Sequence, residues 1–329
     1  MDWKKKNVLI TGGGGFVGSH LVERLAGTGA RVTALVRYNS RNDPGMLKRL
    51  PPPVKKKIEI VAGDLRDPET VRAAARDAEV IFHLGALIAI PYSYLHPREV
   101  VETNVLGTLN VLQSARELSV ERVIHTSTSE VYGSARYTPM DENHPLQGQS
   151  PYSASKIAAD KIAESFYRSF DLPVCVIRPF NAFGPRQSDR AVIPTIISQC
   201  LAGRELSLGS LDTTRDYTFV DDLTVAFIRM AEVPEAVGEV VNVGSNFEIS
   251  IGEIARRVMK ILGKDIRVVS DPRRLRPGKS EVARLWCDNR KARQLLDWEP
   301  KISFDRGLEK TIRWIEKNPA FYHPEQFVV

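Results

Sequence analysis

The stretch Asn7–Gly18, which reads NVLITGGGGFVG, decides the fold of this chain. An apolar run typical of a strand is followed by a glycine turn and then by the start of a helical pattern. Gly12, Gly15 and Gly18 stand three residues apart. Glycines between a strand and a helix let the backbone approach a pyrophosphate, which rests on the helix N-terminus. The stretch predicts a dinucleotide-binding turn.

The first half of the chain repeats this alternation of apolar runs and helical patterns. Such a rhythm is typical of a doubly wound parallel sheet. The expected strands and helices are Asn7–Thr11, Phe16–Thr28, Arg31–Val36, Ile58–Gly63, Asp67–Arg76, Val80–Leu84, Glu99–Leu118, Arg122–Thr126, Tyr152–Phe170 and Pro173–Arg178. The predicted fold class is therefore α/β, a doubly wound parallel Rossmann sheet with a smaller C-terminal substrate-binding domain.

The alternation breaks after Arg178, where loop-rich stretches such as Asn181–Arg190 begin. We expect residues 1–178 to form the dinucleotide-binding domain and residues 179–329 to form the substrate domain. A segment of about 216–245 has the pattern of a return to the first domain.

Composition narrows the class of protein. Hydrophobic residues make up 43% and charged residues 26% of the 329 residues, as in an ordinary globular protein. No apolar run reaches the ~18 residues of a membrane span, and the three cysteines are too few and too scattered for a disulfide framework or a zinc site. The net charge of +6 is spread along the chain, which favours an anionic small molecule over nucleic acid. We expect a cytoplasmic protein without a metal.

Two positions bear on the choice of dinucleotide. Asp64 follows the third expected strand and is placed to reach an adenine. The second strand runs into Arg37 without the acid that usually bonds the ribose 2′-hydroxyl of NAD. A guanidinium attracts a 2′-phosphate. The sequence thus predicts NADP or NAD, with NADP favoured, and the alternative is that Arg37 is an ordinary surface residue.

The second motif is Tyr152–Lys156, which reads YSASK. A spacing of four places the tyrosine and the lysine on one face of a helix. A tyrosine normally titrates near ~10, but a neighbouring ammonium and a positive nicotinamide stabilise the phenolate. The pair predicts a base for alcohol oxidation, and the hydroxyl of Thr128 is placed to hold the alcohol.

With these motifs the chain resembles the extended short-chain dehydrogenase/reductase family, which contains nucleotide-sugar epimerases, dehydratases and decarboxylases. The matching motifs are the glycine turn, His83–Ala86, Asn104, Thr128, the Tyr152/Lys156 pair, Arg178–Arg186, Arg215–Tyr217, Arg276–Pro277 and Leu296–Pro300.

The resemblance implies a role for each matching position. The residues implied to bind the cofactor are Gly12, Gly15, Phe16, Val17, Gly18, Arg37, Asp64, Leu65, Leu84, Gly85, Ala86, Tyr152 and Lys156. The residues implied to bind a nucleotide-diphosphate sugar are Thr128, Asn181, Arg190, Val192, Arg215 and Arg276. Forked guanidiniums suit a diphosphate, although each arginine alone could form a surface salt bridge.

The residues after Thr128 bear on the reaction. A 4,6-dehydratase needs a base and an acid beside the nicotinamide, and in similar dehydratases the positions of Ser129 and Glu130 supply them. The resemblance therefore implies the catalytic residues Thr128, Ser129, Glu130, Tyr152 and Lys156. UDP-glucuronate decarboxylases share the Ser-Glu pair, 4-epimerases need only the hydroxyl and the Tyr/Lys pair, and Glu130 could simply tie down a loop.

Three further stretches favour a dehydratase. Leu87–Tyr94, Gln147–Tyr152 and Gly184–Pro194 resemble the LegB-type NDP-N-acetylglucosamine 4,6-dehydratases, whose nucleotide here could be UDP or GDP. The competing class is a non-catalytic NAD(P) sensor, which has no use for Thr128 with the Tyr/Lys pair.

A homodimer is also expected. The helices Glu99–Leu118 and Tyr152–Phe170 carry more apolar residues than one sheet face needs, and in relatives these helices pair as a four-helix bundle. The apolar residues concerned are Val105, Leu109, Leu112, Ile157, Ile162 and Phe166.

Overall fold

The computed structural model describes residues 1–203 and 205–324, so the last residues of the expected second domain, 325–329, lie outside it. The strands are β1 (Asn7–Thr11), β2 (Arg31–Arg37), β3 (Ile58–Gly63), β4 (Val80–His83), β5 (Arg122–Thr126), β6 (Val174–Pro179), β7 (Asn181–Phe183), β8 (Leu206–Leu208), β9 (Thr214–Phe219), β10 (Val240–Val243), β11 (Glu248–Ser250), β12 (Val268–Ser270) and β13 (Arg284–Leu285). The α-helices are α1 (Phe16–Thr28), α2 (Pro52–Lys55), α3 (Pro68–Ala75), α4 (Ile90–Leu95), α5 (Pro97–Val101), α6 (Gly107–Glu117), α7 (Pro151–Phe170), α8 (Val192–Ala202), α9 (Val220–Glu232), α10 (Ile251–Leu262), α11 (Arg290–Leu296) and α12 (Phe304–Lys317).

The central sheet has seven parallel strands in the order β10-β6-β5-β4-β1-β2-β3. Helices cover both faces. Leu25 of α1 and Phe227 of α9 pack on one face, whereas Val71 of α3, Val111 of α6 and Ala163 of α7 pack on the other. Burial on both faces explains why the strands read as continuous apolar runs. The predicted doubly wound parallel sheet is confirmed.

The expected helix Glu99–Leu118 is interrupted. The structure has α5, then a π-helical turn at Glu102–Leu106, then α6. The turn carries the buried Asn104, whose side chain accepts a hydrogen bond from the backbone N–H of Leu87 at 2.8 Å and donates to its carbonyl at 2.9 Å. Such π-turns often mark functional sites.

A second, smaller sheet contains β7, β9, β11 and β13. The stretch expected to be loop from Asn181 therefore begins as a strand, because Asn181–Phe183 pairs in parallel with β9. The apolar core beneath this sheet includes Phe183, Ile196, Phe219 and Leu308. A separate pair joins β8 and β12.

After β9 of the small sheet, the chain returns to the central sheet. Tyr217 and Phe219 of β9 are buried in the second core, whereas Leu223 and Phe227 of α9 are buried in the first. β10 then joins the edge of the central sheet beside β6. Within the expected segment of about 216–245, β9 pairs within the small sheet, whereas α9 from Leu223 onward and β10 pack with the central sheet.

Within the described ranges, no helix combines the length and apolarity needed to cross a membrane. The same residues contain no group of three His, Cys, Asp or Glu side chains that could hold a metal ion. The three cysteines are buried and unpaired with one another.

Candidate active site

The glycine turn between β1 and α1 is closed so tightly that side chains would not fit. Gly12 has a φ of +68°, and a Cβ there would lie 2.8 Å from the Cα of Gly85. A Cβ on Gly18 would lie 2.2 Å from the carbonyl oxygen of Gly12. α1 begins directly afterwards at Phe16, with Gly15 as its N-cap. The free N–H groups of a first helical turn favour an anion.

A cleft opens beside this turn at the carboxyl ends of the parallel strands. Its lining residues are Gly12, Leu35, Val36, Arg37, Gly63, Asp64, Leu65, Gly85, Ala86, Leu87 and Thr103. Leu84 flanks the turn, since a Cβ on Gly12 would lie 3.0 Å from its carbonyl carbon. Ligands of doubly wound sheets bind at this edge, and a cradle without side chains suits a pyrophosphate. The residues present therefore fit a dinucleotide.

Ion pairs surround the far end of the cleft. Arg37 is 63% exposed, and its Nη2 lies 3.1 Å from Glu99 Oε1. Asp64 binds Arg66, with 2.6 Å between Oδ2 and Nη2, and this hydrogen bond lowers the pKa of Asp64. Sequence reasoning missed Glu99, because the carboxylate comes from α5, 62 positions from Arg37.

Tyr152 and Lys156 lie in the first turns of α7. The helix is started by a capping box in which Ser150 accepts from the N–H of Ser153 at 3.1 Å and Ser153 accepts from the N–H of Ser150 at 2.9 Å. Tyr152 is 7% exposed and Lys156 is 3% exposed. The box therefore fixes the start of α7, and both side chains are buried one helical turn apart.

Burial controls the protonation of this pair. It raises the pKa of Tyr152 well above the ordinary value, although the hydrogen bond with Thr128 opposes the rise. It lowers the pKa of Lys156 to about 8, although the charge of Asp160 opposes the fall. Tyr152 thus needs a further positive charge nearby before it can act as a base.

A buried group of hydrogen-bonded side chains lies beneath the pair, and we name it the Asp160 network. It consists of Asp160, Ser127, His125, Arg178 and Tyr132. Asp160 Oδ2 lies 2.7 Å from Ser127 Oγ and 3.0 Å from Arg178 Nη2. Asp160 Oδ1 lies 3.2 Å from His125 Nε2, and Arg178 Nη1 donates to the Tyr132 hydroxyl at 3.0 Å.

Sequence reasoning missed Asp160. The signal was present, since Asp160 follows Lys156 by four positions and must share its helix face.

The residues after β5 reach the same place. Thr128 caps the 3₁₀ turn Ser129–Tyr132, and its Oγ1 accepts the N–H of Glu130 at 3.2 Å. Ser129 is buried. The charge of Glu130 acts to raise the pKa of Tyr152. The structure thus brings Thr128, Glu130 and Tyr152 together.

Side chains from the second half of the chain lie close to Glu130. We name Arg215, Arg276, Glu281 and Glu130 the arginine cluster. Arg276 Nη1 lies 3.8 Å from Glu130 Oε1 and 3.8 Å from Glu281 Oε1. Arg215 Nη2 lies 3.4 Å from the same oxygen of Glu281. Sequence reasoning found the two arginines and missed Glu281.

The other expected substrate residues lie on other elements, of which β7 with Asn181 pairs with the strand of Arg215. Arg190 is exposed, and its Nε donates to Ser188 Oγ at 3.4 Å. Val192 is the first residue of α8, and Asn181 starts β7. Among the described residues, no hydrogen bond or ion pair joins these three to Arg215 or Arg276.

Hydrogen bonds of Ser280 connect its loop to the first half of the chain. The Tyr94 hydroxyl lies 2.6 Å from Ser280 Oγ, and Ser280 Oγ donates to the Gln149 carbonyl at 2.6 Å. Ser280 precedes Glu281, so this link holds the loop of the arginine cluster against α4 and the start of α7.

Comparison with known proteins gives consistent results. A family model described as GDP-mannose 4,6 dehydratase matches residues 9–311. The chain is 34% identical over 313 residues to a UDP-glucose 4-epimerase of Mycolicibacterium smegmatis, covering 93% of this chain and 97% of that protein.

Two further relatives carry other activities in their names. A UDP-N-acetyl-alpha-D-glucosaminuronate decarboxylase of Bacillus cytotoxicus is 32% identical to this chain. The match covers 95% of this chain and 98% of that protein. The crystal structure of DesIV, a dTDP-glucose 4,6-dehydratase from Streptomyces venezuelae with NAD bound, matches at a TM-score of 0.85 and 30% identity, covering 97% of this chain and 100% of that one.

Proposed function

The chain belongs to the extended short-chain dehydrogenase/reductase family of NAD-dependent epimerases and dehydratases, and we propose that it is a nucleotide-sugar 4,6-dehydratase. Its substrate is an NDP-N-acetylglucosamine, with UDP or GDP as the nucleotide, and its product is the 4-keto-6-deoxy sugar. The observation that supports the proposal is that Thr128 caps the turn bearing Glu130, while Thr128 hydrogen-bonds Tyr152 and the charge of Glu130 acts on the same tyrosine.

The cofactor and the substrate occupy opposite ends of the site in this proposal. Gly12, Gly15 and Gly18 hold the pyrophosphate of NAD(P), and Lys156 stands at the nicotinamide end. A nicotinamide bound there would supply hydride acceptance from C4 and hydride return to C6. Arg215 and Arg276 hold the diphosphate of the substrate.

The side chains then divide the proton transfers. Thr128 holds the C4 oxygen, and Tyr152 takes the C4 hydroxyl proton. The ketone so formed acidifies the hydrogen on C5, which Glu130 removes. Water leaves from C6 with a proton from Ser129 or from Glu130 itself, and return of the hydride to C6 with uptake of a proton at C5 completes the 4-keto-6-deoxy sugar. Lys156 supplies positive charge that supports the tyrosine through this cycle.

NADP is the proposed cofactor in preference to NAD. The exposed guanidinium of Arg37 at the end of β2 is available to a 2′-phosphate, although it must leave its pairing with Glu99.

Mass spectrometry tests the reaction. Incubation with UDP-N-acetylglucosamine, with its GDP counterpart and with UDP-glucuronate should give loss of water from an N-acetylglucosamine substrate. Loss of carbon dioxide from UDP-glucuronate would make the protein a decarboxylase. A stereoisomer of unchanged mass would make it a 4-epimerase, and no product with bound cofactor would support a sensor.

We also propose a cytoplasmic homodimer. Val101 and Leu106 before α6, and Tyr167 and Phe170 on α7, are exposed apolar side chains. Leu112 and Phe166, which the sequence assigned to the dimer face, are instead buried in the core of their own sheet. Light scattering at micromolar concentration should give twice the chain mass, and a monomer would contradict the dimer.

A further inference from the structure

Glu281 occupies the place where the proposed function needs an external anion. One carboxylate oxygen, Oε1, lies 3.4 Å from Arg215 Nη2 and 3.8 Å from Arg276 Nη1. A single internal oxygen thus spans the two guanidiniums that are proposed to hold a diphosphate.

The fit of Glu281 to these arginines is loose. Charge-assisted hydrogen bonds normally measure about 2.7–2.9 Å. Arg276 Nη1 is buried and has no hydrogen-bond partner among the described residues, only the two carboxylates at 3.8 Å. Glu281 therefore balances charge while leaving donor capacity of the arginines unused.

The side chain of the preceding residue keeps Glu281 in this place. Its neighbour Ser280 is hydrogen-bonded both to the Gln149 carbonyl and to the Tyr94 hydroxyl at 2.6 Å each. These contacts with α4 and with the start of α7 therefore hold the Glu281 carboxylate beside the two arginines. A bound diphosphate has to compete with it.

We infer, on the basis of the proposed function, that Glu281 is a stand-in anion for the substrate diphosphate. It pairs with Arg215 and Arg276 when the site is free, and the diphosphate displaces it on binding. Because every nucleotide has to break this pairing, Glu281 lowers the affinity of the site for nucleoside diphosphates and favours release of the product.

The test is the change of Glu281→Gln, which keeps the shape and an acceptor oxygen while removing the charge. Dissociation constants for UDP, dTDP and GDP are measured by calorimetry on the purified protein with its cofactor. The variant should bind the preferred nucleotide about 3- to 10-fold more tightly, since a partly exposed ion pair no longer has to be broken.

The matched control is Glu248→Gln. Glu248 pairs with Arg284 at 2.6 Å on the same small sheet, so this change removes an equal charge outside the cluster. Its Kd should equal that of the wild type. If both variants bind the nucleotide more tightly by the same factor, the effect is one of net charge alone, and the inference is overturned.

The other results are also decisive. Weaker or unchanged binding by the Glu281→Gln protein would show that Glu281 orients the arginines for the ligand, which overturns the inference while leaving the proposed function intact. Binding of none of the three nucleotides by the wild type and the variant would overturn the proposed function itself.

Discussion

The two ionic groups on either side of the cleft are built differently. In the Asp160 network the carboxylate is buried and has partners at 2.7–3.2 Å. In the arginine cluster the N–O separations are 3.4–3.8 Å, and Arg276 is 26% exposed. A buried carboxylate with several close partners gives a fixed geometry, whereas loosely paired charges attract a ligand. In the proposed function the first group supports Tyr152 and Lys156, and the second binds an anion.

The largest effects are expected from the two proposed proton-transferring residues, Glu130 of the arginine cluster and Tyr152, which lies above the Asp160 network. Glu130→Gln should lower the rate of water loss by ~10²–10⁴-fold, because a positioned base is removed. It should spare oxidation at C4, so reduced nicotinamide should accumulate when substrate is added. The absorbance of the reduced cofactor, followed together with product mass, measures both steps.

The companion change is Tyr152→Phe, which removes the proton acceptor at C4. This variant should leave the cofactor oxidised after substrate is added. In heavy water the wild-type product should carry deuterium at C5. Dehydration by the Glu130→Gln protein at near the wild-type rate would make Glu130 a structural residue.

The next effect concerns stability. Asp160→Asn removes the charge that faces Arg178 in the core and should lower the free energy of unfolding by about 3–5 kcal/mol, since an unpaired buried charge remains. Glu281→Gln should lower it by less than about 1 kcal/mol. Urea denaturation of both proteins measures the difference. Equal losses would erase the distinction between the two groups.

Lys156 makes the activity depend on pH. Because burial lowers its pKa to about 8, the ammonium is present below that pH and is lost above it. The turnover rate of the enzyme should therefore fall about tenfold for each pH unit above 8. Lys156→Arg, which stays charged, should remove this decline at a lower overall rate. A rate that holds steady up to pH 10 would show that the ammonium is not needed.

The smallest effect is expected at the exposed pair Arg37–Glu99. Arg37→Ala should raise the Kd for NADP about 5- to 10-fold and leave that for NAD nearly unchanged, since only the 2′-phosphate loses a partner. Fluorescence titration of the cofactor-free protein with both reduced nucleotides measures this. Extraction of NAD alone from the purified protein would contradict the NADP proposal.

The sequence predicted those parts of the molecule that depend on local pattern. The glycine turn, the parallel strands and α7 follow from spacing and apolar runs over short stretches, and the doubly wound sheet was predicted correctly. The candidate site was predicted where a motif is contiguous, as in Tyr152–Lys156.

The remainder depends on contacts between distant positions. Glu281 reaches Arg215 across 66 positions, and Glu99 reaches Arg37 across 62. No periodicity encodes such pairs. The π-turn at Glu102–Leu106 was missed because an inserted residue leaves the apolar pattern of a helix nearly unchanged, while it turns Asn104 inward to Leu87.

The late return of α9 and β10 to the central sheet has a consequence for how the chain folds. A fragment ending at β6 would leave that strand as an open edge, which invites pairing with other chains, and would expose the apolar face that Phe227 covers. Val176 and Val240 must find each other across a stretch that itself contains β7 and β9 of the small sheet. The strands of the central sheet and of the small sheet are thus interleaved along the chain. Bringing β6 and β10 together closes a long stretch of chain, and such non-local pairing slows folding. The nascent chain stays prone to aggregation until β10 has been synthesised.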